Sequence, residues 1–278
     1  MIYAFLLTPL ALLSLSFVHA EDFLSLPNLP AQLQGIDQGL HSPKSCGPAA
    51  LLTALKFGSE VHRKAFTTLP GTNDQTRLTF VVDRFFRRPS QSFRDSPRWT
   101  LHGGCTQMDL AEAVKEAVAE FGLPKIRHHE WIRPLSESHE DFVFRVHRDL
   151  HHSLRHGTPP IVELRTQTCE QEPDGTWRWK VLVDHYVTII AITKELHSGK
   201  HGFRFQFLDP SGGQKHEAHV FAEPHLSLTS FAGEGHRGRW ITGSRSLRVV
   251  APTAASLWEK PKEPHQLITC TLHYFLGS

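Results

Sequence analysis

The amino-acid sequence predicts an α+β architecture, in which a run of helices is followed by a run of strands. Two observations carry that expectation. Helical signals crowd the stretch from Ser45 to His156. From Pro160 onward the patterns turn to short continuous apolar runs and to period-two alternation, both strand signatures. The two kinds of element do not alternate as they would in a parallel βαβ fold.

In chain order, Pro27 and Pro30 mark an extended lead-in. Ser45 to Phe57 reads as a helix: Pro48 suits a first helical turn, Ala and Leu follow, and Gly58 can close it. Residues 63–104 are polar, Arg-rich and broken by Pro70, Pro89 and Pro97, which predicts an irregular surface insertion. Thr106 with Asp109 resembles a helix cap, opening a helix that runs to Phe121 and stops at Gly122. Phe142, Val146, Leu150 and Leu154 place a further helix over Asp141 to His156, ended by Gly157. Strands are expected at Pro160 to Leu164, Val181 to Thr193 and Phe203 to Leu208, with late strands at Leu247 to Val250 and Leu267 to Leu272. Trp177 and Trp179, beside the turn Glu170 to Gly175, read as packing aromatics at a hairpin tip.

Composition narrows the function. With 278 residues, 40% hydrophobic and 21% charged, the chain is neither a disordered tail, a fibre nor a multi-span membrane protein. A net charge of +2 offers no electrostatic case for nucleic acid. The 20 histidines make the charge climb steeply through mildly acid pH. Residues 1–20 (MIYAFLLTPLALLSLSFVHA) are apolar and uncharged, with small residues before Glu21, and read as a signal peptide cleaved after Ala20. The competing reading is an uncleaved membrane anchor; Pro9 and the interspersed Ser and Thr count against it. The mature chain is therefore expected to be exported, secreted or periplasmic, with no stable membrane span.

Three segments carry chemistry. In Cys46-Gly47-Pro48-Ala49-Ala50 a thiol stands where a helix begins, and free backbone donors at a helix N-terminus favour the thiolate. The competing reading is a buried or disulfide-bonded cysteine. His185 opens the strongly apolar strand Asp184 to Ile190, where an imidazole needs a partner; a hydrogen-bonded histidine at the core edge is the plainer alternative. Asp209 ends the next strand in Phe207-Leu208-Asp209-Pro210, a dipeptide that also serves as an ordinary turn opener. If Ala191 pairs with Phe203, Ile189 with Phe205 and Val187 with Phe207, then His185 faces Asp209 on the same side of the hairpin. A register slipped by two keeps both on that side.

Taken together, these residues resemble the papain-like cysteine peptidases of the C39-like group. The likeness rests on Cys46 to Ala50 opening a helix, His185-Tyr186-Val187 opening a strand, Asp209-Pro210 after the following strand, and the run Gly157 to Val162 as the strand that precedes the histidine strand. It spans about residues 34–213 of a single domain, 21–278, with 63–104 as an insertion and 214–278 as an unmatched C-terminal extension. The resemblance implies a papain-like fold, N-terminal helices packed on an antiparallel sheet. It implies Cys46 as nucleophile, His185 as general base and acid, and Asp209 as the residue orienting the imidazole. It also implies an oxyanion held by the Cys46 backbone N–H and an upstream glutamine. Gln38 is the choice for that glutamine, although it stands further from Cys46 than the group's glutamine, whose usual place is held in this chain by Leu40.

The expected activity is hydrolysis of a peptide or protein substrate through an acyl-enzyme, with no cofactor. Two readings stay open beside it: another amide acyl transfer on the same scaffold, such as cell-wall amide cleavage or transglutamination, and a non-catalytic binding module with Cys46 in a disulfide. His128-His129, His151-His152 and His216-x-x-His219 lack zinc-ligand spacing, so no metal is expected. Cys105, Cys169 and Cys270 leave one disulfide and a spare thiol, or none, if Cys46 is free. The oligomeric state is left open.

Overall fold

The computed structural model describes residues 22–171, 177–196, 201–222, 246–254 and 267–278. The expected signal peptide, the tip of the Glu170–Gly175 turn with its aromatic side chains, and the Cys169 side chain lie outside the described residues. Among the described residues, no helix is long and apolar enough to cross a membrane.

The expectation of a papain-like fold is overturned: helices do not pack on an open sheet, because the sheet closes. The strands β5 (Ile161–Gln171), β6 (Trp177–Thr193), β7 (Gly202–Leu208), β8 (Lys215–Ala222), β9 (Leu247–Val250) and β10 (Leu267–Gly277) each pair with their neighbours in antiparallel sense. The order runs β6-β5-β10-β9-β8-β7 and returns to β6, a closed six-stranded barrel. β1 (Phe23–Ser25) extends it beside β6, and β4 (Arg127–Glu130) beside β10. Closure follows from length and bending. β6 has 17 residues, enough to pair β5 on one edge and β7 on the other. Its register shifts at Thr166/Gln167 against β5 and at Ile189/Ala191 against β7, and β10 shifts at Leu272/Tyr274. Such bulges add local twist and let a sheet curl back on itself.

Among the described residues five α-helices accompany the barrel: α1 (Cys46–Phe57), α2 (Glu60–Thr68), α3 (Asp74–Val81), α4 (Gln107–Phe121) and α5 (His139–Arg155). Within 63–104, expected to be an irregular insertion, the first part is largely helical: the rest of α2 to Thr68, then α3 and a π-helical turn at Val82–Phe86. Leu78, Val81, Val82, Phe85 and Phe86 are all fully buried, so an apolar helical stripe lies beneath the Arg-rich surface. β2 (Trp99–Thr100) and β3 (Gly104–Cys105) form a small hairpin just before α4. The caps read from sequence for α4 hold: the Thr106 side chain accepts from Asp109 N–H, and Gly122 closes the helix at φ 61°.

The barrel wall separates two apolar clusters. Val187, Ile189, Val162, Leu164, Phe205, Phe207 and Leu272 join one, together with Phe142, Val146 and Leu150 of α5. Tyr186, Ile161, Tyr274 and Leu276 point to the other, with α1 to α4. This is the period of two expected of a strand packed on both faces. Ten of the 12 residues of α1 are buried. A helix apolar all round belongs between layers, and α1 sits between the barrel wall and the other helices. The Thr188 hydroxyl donates to the Ala50 carbonyl at 3.0 Å, and Ile36 N–H donates to the Thr53 hydroxyl at 3.0 Å. Those bonds fix the axial position of α1, and with it the position of Cys46.

Two histidines are built into the fold in neutral form. His62 is 4% exposed and accepts or donates at Ser59 Oγ, 2.7 Å away. His273 is 2% exposed and lies 3.1 Å from an Arg165 guanidinium N–H, which only an unprotonated ring nitrogen can accept. Burial, aided by neighbouring Arg63 and Arg165, pushes each pKa down to about 4. Because the folded value is depressed, the stability involved is complete above the ordinary 6.5 and is lost as pH falls through about 4. The loss should reach about 3 kcal/mol for each histidine. Urea unfolding across that interval should show the midpoint dropping, and His273→Gln should flatten the drop. An equal slope in the variant would contradict a neutral His273.

Candidate active site

Cys46 is the first residue of α1, as its neighbours Pro48 and Ala49 predicted. No acidic side chain occupies the first turn, and Ser45 makes no side-chain cap. The Ser45 hydroxyl is instead engaged by His41 Nδ1 at 3.0 Å, and His41 in turn packs edge-on to Trp99 at 4.9 Å. The positive end of the helix therefore faces the sulfur without a competing carboxylate. Burial works to raise the Cys46 pKa, but the hydrogen bond and charge of His185 and the backbone N–H groups of Tyr186 and Gly47 overcome it, holding the thiol below its ordinary value.

His185 and Asp209 meet as expected, though by a different ladder. The expected Val187–Phe207 pairing is not formed: Ile189 pairs with Phe207 and Thr188 with Leu208, with a bulge before Ala191. The slip is two residues, so parity is kept and Asp209 stays on the face of His185, just beyond the ladder. His185 Nε2 lies 2.6 Å from Asp209 Oδ1, with His185 5% and Asp209 1% exposed. That bond leaves Nδ1 to face the sulfur. Burial would lower the His185 pKa, but the bond to Asp209 and the bond and charge of Cys46 raise it to about 10. A depressed thiol and an elevated imidazole are the two halves of one ion pair.

Asp209 is held in turn. Its Oδ1 accepts from Ser211 N–H at 2.7 Å, and its own N–H donates to the Gln214 carbonyl at 2.9 Å. The loop is laced to the segment before α1: Gly35 N–H donates to Gly213 O at 2.8 Å and Gln38 N–H to Pro210 O at 2.7 Å. Gly213 has φ 69°, and a Cβ there would stand 2.5 Å from the Gly35 carbonyl, so this crossing requires glycine. Gln38 thus opens a 3₁₀ turn against the Asp209–Pro210 loop, and its Oε1 is buried with no hydrogen-bond partner among the described residues. All four residues singled out in the sequence are drawn towards one region, at the junction of α1 with the barrel.

Other residues here carried no sequence signal. Cys105 stands with its Sγ 2.5 Å from where a Cβ on Gly47 would lie, so Gly47 is needed for the two segments to meet. Glu163, paired with Tyr186 across β5 and β6, is 1% exposed. It is bound by Gln107 Nε2 and by Arg165 at 3.0 Å, and Arg165 also reaches Asp184 at 2.7 Å. Burial, partly offset by Arg165, pushes the Glu163 carboxyl up to about 8. This network ties β5 to β6 beside His185. Gln107, Glu163 and Asp184 come from three separate stretches of the chain, and so do Cys105 and Gly47, which is why no local motif revealed these contacts.

Cys46, Cys105 and Cys270 are free thiols. Among the described residues, no group of three or more His, Cys, Asp or Glu side chains is arranged to hold a metal ion. No protein-family model, no curated protein and no solved structure matches the chain.

Proposed function

We propose that this chain is a cysteine hydrolase that cleaves peptide bonds through an acyl-enzyme. The observation that carries the reading is the Cys46–His185–Asp209 constellation, with a thiol at a helix N-terminus and a buried imidazole shared between it and a carboxylate. The likeness of Cys46 to Ala50, His185-Tyr186 and Asp209-Pro210 to the C39-like peptidases supports it. Residues 1–20 suit an exported enzyme acting on a peptide or protein substrate.

In this reading the Cys46 thiolate attacks the scissile carbonyl. The Cys46 backbone N–H and the Gln38 side chain take the oxyanion, and the His185 imidazolium gives its proton to the leaving amine. Neutral His185 then draws a proton from water, which attacks the acyl-enzyme and frees Cys46. Asp209 holds the ring so that one nitrogen always faces the sulfur. The direct test is an electrophilic probe such as iodoacetamide at about pH 6, where an ordinary thiol is protonated. Labelling mapped to Cys46 supports the reading, and an inert Cys46 removes the nucleophile and the reading with it.

The same ion pair sets the pH dependence. Activity should rise with pH as the depressed Cys46 thiol loses its proton, then fall as His185, raised to about 10, loses its own. The alkaline limb of kcat/KM should therefore lie well above the ordinary imidazole range. A limb near neutrality would show that His185 is not held as the cation.

A further inference from the structure

The two half-buried thiols Cys46 and Cys105 converge on one residue, Gly47. The Cys46 sulfur is bonded by the Gly47 backbone, and the Cys105 sulfur lies against the face where a Gly47 side chain would be. Cys105 is carried there by β3, whose partner Trp99 donates from Nε1 to the Lys44 carbonyl at 2.9 Å, two residues before Cys46. Gly104, at φ 70°, brings the same hairpin against the Lys44 backbone. Cys105 packs half-buried against the helical apolar cluster, and the triad chemistry makes no use of its thiol.

We infer that Cys105 is a resolving thiol, which captures Cys46 in a reversible disulfide when a hydroperoxide oxidises it. The inference rests on the proposed ionised state of Cys46 but not on any substrate. Burial, with the charges of Cys46, Asp109 and Glu163, keeps the Cys105 pKa well above its ordinary value, so Cys105 is the resting thiol and Cys46 the reactive one. The Cys46 thiolate attacks one peroxide oxygen, the O–O bond breaks, and the departing hydroxide takes the proton of the His185 imidazolium as water. Cys46 is now a sulfenic acid, two electrons more oxidised, and its negative charge no longer opposes ionisation of Cys105. Cys105 sulfur attacks the sulfenic sulfur, the S–O bond breaks, and hydroxide leaves with the Cys105 proton as water, His185 relaying it. A dithiol reductant returns both thiols. The disulfide blocks the nucleophile, yet spares it from irreversible sulfinic oxidation, which suits an enzyme expected in an oxidising compartment.

The test uses the full mature chain and stoichiometric hydrogen peroxide, followed by alkylation under denaturing conditions and peptide mass mapping. The expected product is a peptide joining Cys46 to Cys105, two hydrogens lighter than its parts, with iodoacetamide labelling of Cys46 lost and then fully regained in dithiothreitol. Cys105→Ala should label normally before peroxide, but afterwards carry sulfinic acid on Cys46 that dithiothreitol does not reverse. Cys105→Ser serves if the alanine variant does not fold, and the wild-type map needs no variant. Sulfinic Cys46 without a cross-link, or a cross-link from Cys46 to Cys169 or Cys270, overturns the proposal. Peptide hydrolysis is assayed separately. A cross-link in a protein that hydrolyses nothing sinks the peptidase reading alone, and hydrolysis without a cross-link sinks the resolving thiol alone.

Discussion

Cys46→Ala should abolish peptide hydrolysis, a loss of roughly 10⁶-fold in kcat if the three residues act as one unit. Without the sulfur no acyl-enzyme can form, and the remaining oxyanion donors have no nucleophile to serve. The fold should survive. Cys46 is only half-buried, it is the first residue of α1 at the edge of the helical cluster, and alanine is a good helix former at that position. Thermal unfolding should therefore move by no more than about 1 kcal/mol in stability. Turnover by the purified variant at the wild-type rate would show that another residue performs the attack. Loss of turnover together with loss of the folded state would make Cys46 a structural residue instead.

Asp209→Asn should lower kcat by about 10²- to 10⁴-fold while leaving KM nearly unchanged. The carboxylate is 1% exposed and 2.6 Å from His185 Nε2, so it both selects the ring orientation and keeps the proton on the imidazole. The amide oxygen can still accept from both His185 and Ser211 N–H, which share Oδ1 in the wild type, but it carries no charge to stabilise the imidazolium. Two readouts separate this role from simple support of the loop. The alkaline limb of the pH profile should move towards neutrality, since the bond to Asp209 is the strongest of the influences raising the His185 pKa against burial. Iodoacetamide labelling of Cys46 at acid pH should weaken in parallel. If kcat falls while both readouts stay put, Asp209 holds only the loop that crosses Gly35 and Gly213.

Much of the site was legible because its signals are local. Cys46 before Gly47-Pro48 reads as a helix start from three adjacent residues, since Pro lacks the N–H that a first turn does not need. His185 and Asp209 share a hairpin, so side-chain parity keeps them together although the pairing on their side of the Ile189/Ala191 bulge is slipped by two from the expected one. The helices hidden at 60–86 were missed for a local reason too: prolines and arginines on the surface outweighed Leu78, Val81, Val82, Phe85 and Phe86, which face inward. β8 was missed because its inward residues Ala218, Val220 and Ala222 alternate with charged and aromatic ones, giving a weak apolar signal.

The sequence by itself determined which short segments become helix starts and strands, and which side of the hairpin His185 and Asp209 occupy, because a turn of helix or a pleat is set by neighbours in the chain. Only the tertiary structure decided that the strands close into a barrel and that Cys105 and Glu163 stand beside Cys46 and Tyr186. Those contacts join residues more than twenty positions apart, and their formation depends on burying apolar surface between layers, a quantity no local pattern records.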